Sequence, residues 1–245
     1  MTHVNAKEYS LKSPTGEVFL LRSLTYFIRQ NMDLFQRTDR GKATISLETI
    51  RTYIACLVPK KVKNKLAVWQ GWTWYNESAY SRTPRRVILS LGSNIEPRLE
   101  WIDKAVEALS ALPNVRDVRR SPLYETVPDD VPEQFRDQPY LNGIVTLEAS
   151  MHPLKLLKAT QAIERRLGRK RNGVHGSPRT IDIDIIAIDN VRVARPELLV
   201  PHPRAMTRRF VLQPLADLLP DFRFPGQTQT VSDLLRQLDD AAGAN

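Results

Sequence analysis

The stretch Gly168–Ile188, GRKRNGVHGSPRTIDIDIIAI, decides how the chain is read. Three close-set cations open it, Arg169, Lys170 and Arg171. A Gly/Ser/Pro loop follows, and the stretch ends in an apolar run that carries Asp182 and Asp184. The run Ile181–Ile188 is rich in β-branched residues and free of glycine and proline, so it reads as a buried strand. Positions i and i+2 share one face of a strand, so Asp182 and Asp184 point the same way while Ile181, Ile183 and Ile185 pack behind them. Side-by-side carboxylates repel, and burying them unpaired is expensive. Two readings meet that cost. A hard divalent cation with oxygen ligands could sit between the acids, and with Arg169, Arg171 and Arg179 it would suit a polyanionic ligand and phosphoryl transfer. Alternatively, the acids line a solvated strand face and pair with the nearby arginines.

Working outward, the rest of the chain splits by composition. Residues 1–85 carry 14 Lys and Arg against 6 Asp and Glu, and residues 86–245 the remaining 22 against 21. Nearly all of the net charge of +9 therefore sits in the first third, together with Trp69, Trp72 and Trp74. Two modules are expected, 1–85 and 86–245, joined near Ser81–Arg85. At 42 % apolar residues the chain can build a core, and no apolar run approaches the ~20 residues of a membrane span. The start of the chain lacks a signal-peptide pattern, and a single cysteine, Cys56, excludes an internal disulfide and Cys-based metal clusters. A cytoplasmic protein is expected.

In the second module, Val87–Leu91 reads as a strand, Leu99–Leu112 as a helix and Val115–Tyr124 as a strand. The Pro- and Asp-rich segment Val127–Pro139 reads as a loop suited to a mobile lid. Tyr140–Leu147 is a further strand, Pro153–Leu167 a helix, and Thr180–Ile188 closes the set. The order is β-α-β-β-α-β, a ferredoxin-like α+β core with helices on one face of an antiparallel sheet. Helices at Phe210–Leu219 and Val231–Leu238 follow. In the first module, the turn residues Ser13–Gly16 between apolar positions predict a hairpin, and helices are expected at Ser23–Phe35 and Ser46–Leu57. The run Lys60–Lys65 beside WQGWTW suits nucleic-acid contact, or equally a small tryptophan core behind a solvated lysine loop.

The pattern GRxR…PRTIDIDII resembles the signature of the 6-hydroxymethyl-7,8-dihydropterin pyrophosphokinase family. The resemblance runs from about Arg86 to Leu238 and includes LSLGSN (Leu89–Asn94), SPLYET (Ser121–Thr126) and QPYLNGIV (Gln138–Val145). It continues through Gln161–Glu164, VPHP (Val200–Pro203) and RRFVLQPL (Arg208–Leu215), all in the family's order. It implies transfer of a pyrophosphoryl group from ATP to a pterin alcohol, with a ferredoxin-like core and a monomeric enzyme. It further implies that Asp182 and Asp184 hold two Mg²⁺ ions and that Arg169 and Arg179 grip the phosphates. Gln161, Glu164, Arg171, Ile185, His202 and Arg208 match ATP-contacting positions. Tyr140, Asn142 and Phe210 match the pterin pocket, with backbone from Gly92, Thr126 and Val127. By pattern alone, His202 could be a packed turn histidine, Tyr140 and Phe210 core aromatics, and Glu164 a solvated helix acid. The chain departs from the family where His175-Gly176-Ser177 precedes Pro178-Arg179, with Gly176 at an aromatic's place.

No GxxxxGK-(S/T) phosphate loop is present, which excludes a Walker-type kinase. Residues 1–85 resemble the small modular DNA-binding domains found beside homing endonucleases, which implies weak DNA binding. The competing function class is a nucleic-acid-binding protein whose second domain is degenerate or repurposed. A third is an interaction module that holds the enzyme near another folate protein.

Overall fold

The computed structural model describes residues 9–13, 15–21, 68–69, 72–74, 83–128, 131–170 and 176–243. The helices expected at Ser23–Phe35 and Ser46–Leu57, Cys56, and the Lys60–Lys65 run lie outside them. By contacts the chain divides into two units. One comprises Met1–Ser78 with Asn190–Leu199, the other Ala79–Asp189 with Val200–Asn245. The division falls somewhat before residue 85, and the first unit takes in a late segment that composition assigns to the second module.

The described strands are β1 (Tyr9–Lys12), β2 (Val18–Leu21), β3 (Val68–Trp69), β4 (Trp72–Trp74), β5 (Arg85–Ser93), β6 (Val115–Arg120), β7 (Tyr124–Thr126), β8 (Tyr140–Ala149), β9 (Asp182–Ile188), β10 (Val191–Arg195) and β11 (Leu198–Val200). The described helices are α1 (Arg98–Ser110), α2 (Pro153–Arg166), α3 (Arg209–Leu218) and α4 (Val231–Gly243).

In the first unit, β1 and β2 form the expected hairpin, with Lys12 opposite Val18. Its turn is closed by Ser13 N–H donating to Glu17 O (2.9 Å), and Gly16 takes φ +89°, a conformation only glycine adopts without strain. The sheet order is β11-β10-β2-β1-β4-β3. Strand β10 runs parallel to β2, with Val191 beside Val18 and Val193 beside Leu20. Val18–Leu21 is buried along its whole length, as befits an interior strand covered on both faces. Strands β10 and β11 were not expected. The alternation in Val191–Arg195 is a strand signal, but the partner that makes it part of a sheet lies far upstream in the chain.

The second unit is the expected β-α-β-β-α-β core. Its sheet runs β6-β8-β5-β9, and the short β7 pairs with β8. Alternation gives the sheet two different faces. Val87, Leu89 and Leu91 of β5 and Val145 and Leu147 of β8 point to one side, where α1 contributes Ile102 and Leu109 and α2 contributes Leu156 and Ile163. On the other side, Ile88, Ile144 and Ile186 are covered by α3 and α4 through Leu212, Leu215, Val231 and Leu234. Further along that second face the side chains turn polar. Ser90 lies opposite Asp184 and Gly92 opposite Asp182 on β9, while Gly92 faces Asn142 on β8. One face is thus apolar and covered at one end, polar and open at the other. Among the described residues of Val127–Pro139 there is one short 3₁₀ turn, Glu133–Phe135.

Candidate active site

The open end of that sheet face is the floor of a cavity of about 670 Å³. Asp182 and Asp184 both line it, as the i, i+2 spacing requires. Their situations differ. Asp182 is held between two arginines: Arg169 Nη1 donates to its Oδ1, and Arg179 Nη1 to its Oδ2 (2.5 Å). Burial alone would raise Asp182, but Arg169 and Arg179 outweigh it and hold its carboxyl below the usual carboxylate range. For Asp182, then, the arginine-pairing reading is what the structure contains. The Asp184 carboxylate makes no hydrogen bond with any described residue. Its side chain is exposed to solvent within the cavity, although the cavity walls and Asp182 stand close around it. Partial desolvation, then Asp182 beside it, pushes its pKa up to about 7 despite the opposing pull of Arg169. A carboxylate in this position calls for a cation. Among the described residues no group of three or more His, Cys, Asp or Glu could hold a metal. A hard divalent ion here would therefore rest on two carboxylates and on ligand oxygens, the sparse coordination that suits Mg²⁺.

Glu164, on α2, is 2 % exposed and is no solvated helix acid. Its Oε1 accepts from Ile183 N–H (2.9 Å), satisfying an amide on the outer edge of β9, and it also accepts from Arg169 Nη1. Arg169 thus bridges Glu164 and Asp182. Burial opposes its charge, but Asp182 and Glu164 more than offset that cost. Arg179 is fixed through its backbone, whose N–H donates to Asn94 Oδ1 (2.8 Å), and its guanidinium carbon lies 5.7 Å from the Tyr140 ring centroid. Asn94, within LSLGSN, is a support that motif matching names without explaining.

At the β7–β8 side, Asn142 Nδ2 donates to Thr126 Oγ1 (2.6 Å). A Cβ on Gly92 would stand 2.5 Å from Asn142 Oδ1, so only glycine lets that amide lie flat across the sheet. Thr126, Val127, Tyr140 and Asn142 line this recess, and Phe210 lines the cavity with the Arg208 guanidinium 5.1 Å from its ring. Tyr140 and Phe210 are half-buried cavity walls, and Phe210 also packs against the core beneath α3 and α4. His202 also lines the cavity and is not simply packed away. Burial, then Arg208 and Arg204, hold it below the ordinary imidazole value. Its Nδ1 accepts from Arg204 N–H (3.2 Å), so the neutral ring carries its proton on Nε2.

Every residue that the resemblance assigns to the site lines this cavity except two. Ile185 is buried with its side chain on the opposite face of β9, and Arg171 lies outside the described residues. Ser90, Val131, Leu157, Gly176, Ser177 and Arg204 line it as well. Ser90 was legible from alternation with Gly92. Val131 and Leu157 carry no chemistry-bearing group and leave no such signal.

A ferredoxin-like α+β domain whose open sheet face carries paired acids, a grip of arginines and an aromatic–amide recess defines a class of enzymes that handle phosphates beside a flat ring. The family model described as 7,8-dihydro-6-hydroxymethylpterin-pyrophosphokinase matches residues 88–220. The chain is 43 % identical over 141 residues to the 2-amino-4-hydroxy-6-hydroxymethyldihydropteridine pyrophosphokinase of Pseudomonas aeruginosa, covering 58 % of this chain and 85 % of that protein. It is 39 % identical over 155 residues to the protein of that name from Methylorubrum extorquens, covering 63 % of this chain and 94 % of that protein. The fold is similar to a solved Plasmodium falciparum HPPK-DHPS structure with pteroate, at a TM-score of 0.54 and 14 % identity. That match covers 66 % of this chain and 46 % of the other. The chain belongs to the 7,8-dihydro-6-hydroxymethylpterin-pyrophosphokinase family. The family match does not extend into residues 1–85.

Proposed function

We propose that the chain transfers the pyrophosphoryl group of ATP to 6-hydroxymethyl-7,8-dihydropterin, giving the pterin diphosphate and AMP in folate biosynthesis. The observation that carries this reading is one shared cavity, with arginines and paired acids along β9 and an amide–aromatic recess along β7 and β8. Asn142 offers both donor and acceptor to a pterin edge, and Tyr140 and Phe210 offer ring faces. Arg169 and Arg179 grip the triphosphate. Gln161, Glu164, His202 and Arg208, with Arg171 and the backbone at Ile185, complete the nucleotide side. Asp182 and Asp184 would hold two Mg²⁺ ions, which neutralise phosphate charge when bound. In the reaction the hydroxymethyl oxygen forms a bond to the β-phosphorus, the bond from that phosphorus to the α-phosphate oxygen breaks, and the hydroxyl proton passes to solvent. Arg169 and Arg179 stabilise the charge that gathers on departing AMP, so catalysis rests on positioning and electrostatics without a covalent enzyme intermediate. Purified protein incubated with ATP, Mg²⁺ and the pterin alcohol is expected to release AMP only when all three are present. Folded protein that releases none would overturn the reading.

For the first unit the charge excess of residues 1–85 supports weak, strongly salt-dependent binding to double-stranded DNA. Gel shifts of the full chain across a salt series test this, and retention that ignores salt would exclude it. The enzyme is read as a cytoplasmic monomer, which sedimentation of the pure protein would check.

A further inference from the structure

Arg98, the first residue of α1, is outside the cavity and outside every motif of the family resemblance. All three nitrogens of its guanidinium are nevertheless engaged, each on a different segment. Nε donates to Glu96 Oε1 (2.7 Å), Nη2 pairs with Glu125 Oε2 (2.8 Å), and Nη1 donates to Pro139 O (3.1 Å). Its own N–H donates to Glu96 Oε2 (3.1 Å), so the acid that orients the guanidinium is itself tied to the helix start.

Glu125 and Pro139 directly precede Thr126 and Tyr140. Those two residues face each other on the last rung of the β7–β8 pair, from which the loop 127–139 springs. Strand β7 has only three residues and pairs only with β8. Three rungs hold a strand weakly. The guanidinium spans both stems at the point where backbone pairing ends, and Thr126, Tyr140 and Asn142 beyond it line the recess.

We propose that Arg98 is a positioning residue: it clamps the two stems of the 127–139 loop and thereby fixes the spacing of Thr126, Tyr140 and Asn142 across the ring-binding recess. The proposal rests on the pyrophosphokinase reading for its substrate, but the clamp itself has a readout that does not. The planar fork reaches three acceptors at once, which a lysine ammonium on a flexible stem cannot do in the same geometry. The side chain is 20 % exposed and Glu125 60 %, so the pairs contribute little to global stability and act on local geometry.

The test uses the full chain with Arg98→Met, Arg98→Lys and Glu125→Gln. Hydrogen exchange of the backbone amides in 124–127 and 140–142 is expected to quicken in Arg98→Met, with the melting temperature little changed. The KM for the pterin alcohol should rise about five- to tenfold, well short of the roughly hundredfold that a full 1 Å misplacement can cost, while the KM for ATP stays put. Arg98→Lys should fall between, and Glu125→Gln should show a milder form of the same split. Unchanged exchange in these amides in Arg98→Met would overturn the clamp, as would equal rises in both KM values. If Arg98→Met fails to fold, Glu125→Gln decides, since it removes one contact and leaves the helix start intact. A wild-type protein that makes no AMP would sink the proposed activity but not the clamp, which the exchange measurement still judges.

Discussion

The two sheets of this protein are assembled on opposite plans. The sheet of the second unit draws all of its strands from a single run, residues 85–188, although they lie side by side in the order β6-β8-β5-β9. The sheet of the first unit places β2 between β1, its immediate neighbour in sequence, and β10, which comes after every strand of the other unit's sheet. The comparison teaches that a compositional boundary and a packing boundary need not coincide. Charge and tryptophan content mark the first 85 residues as distinct, while the contacts of that unit also use Asn190–Leu199.

The largest effect expected concerns the unit that carries the cavity. Asp182→Asn or Asp184→Asn should lower AMP formation about a hundredfold or more in steady-state assays, because each removes a charge that the transferred group requires. Turnover near the wild-type level in either variant would move the chemistry away from β9. Next, a fragment of residues 1–85 lacks β10, so its β2 should lose its protected amides in hydrogen exchange. Fusing the segment 186–201 to that fragment should restore protection. A chain of residues 86–245 retains every residue assigned to the site and should keep its activity. If the 1–85 fragment holds β2 fully protected alone, the late strand is an ornament rather than part of that sheet.

A third expectation separates the two aspartates by stability rather than rate. Asp182→Asn leaves Arg169 and Arg179 without their shared carboxylate and should cost about 2–4 kcal/mol in chemical denaturation. This lies somewhat below the loss for a fully buried pair, because Asp182 is 22 % exposed. Asp184→Asn removes a like charge from beside Asp182 and should leave stability unchanged or raised. Equal destabilisation by both would mean that Asp184 has a pairing role too. The smallest effect belongs to the first unit. Among the described residues a Cβ on Gly16 would meet Asn190 Nδ2 at 3.8 Å and Lys12 Cε at 4.0 Å, both ordinary contacts. At φ +89° Gly16→Ala should still cost about 1 kcal/mol, visible as a small drop in melting temperature.

Much of the second unit was legible because its signals are local. The i, i+2 spacing placed Asp182 and Asp184 on one face, and Ser13–Gly16 announced the β1–β2 turn in the first unit by the same kind of short-range rule. What escaped was non-local. Nothing in Val191–Arg195 says that its neighbour is Val18–Leu21. Nothing in the pattern of Arg169 or Arg179 says that both converge on one of the two aspartates and leave the other open. The exposed look of Glu164 in the helix sequence was misleading, because its partner is the edge amide of Ile183, whose need for an acceptor depends on which strand ends the sheet. Ile185, assigned to the nucleotide side by resemblance, has its side chain in the core, so any contact there falls to its backbone.

The late arrival of β10 has a consequence in time. During synthesis β2 leaves the ribosome long before Val191 does, and at about 5–20 residues per second the interval is roughly ten to thirty seconds. For that period the fully apolar run Val18–Leu21 has one flank without its eventual neighbour, a ready template for pairing with another nascent chain. A strand made early is therefore among the last to be finished. The protein's yield in a cell should depend on how well that interval is guarded by holding chaperones.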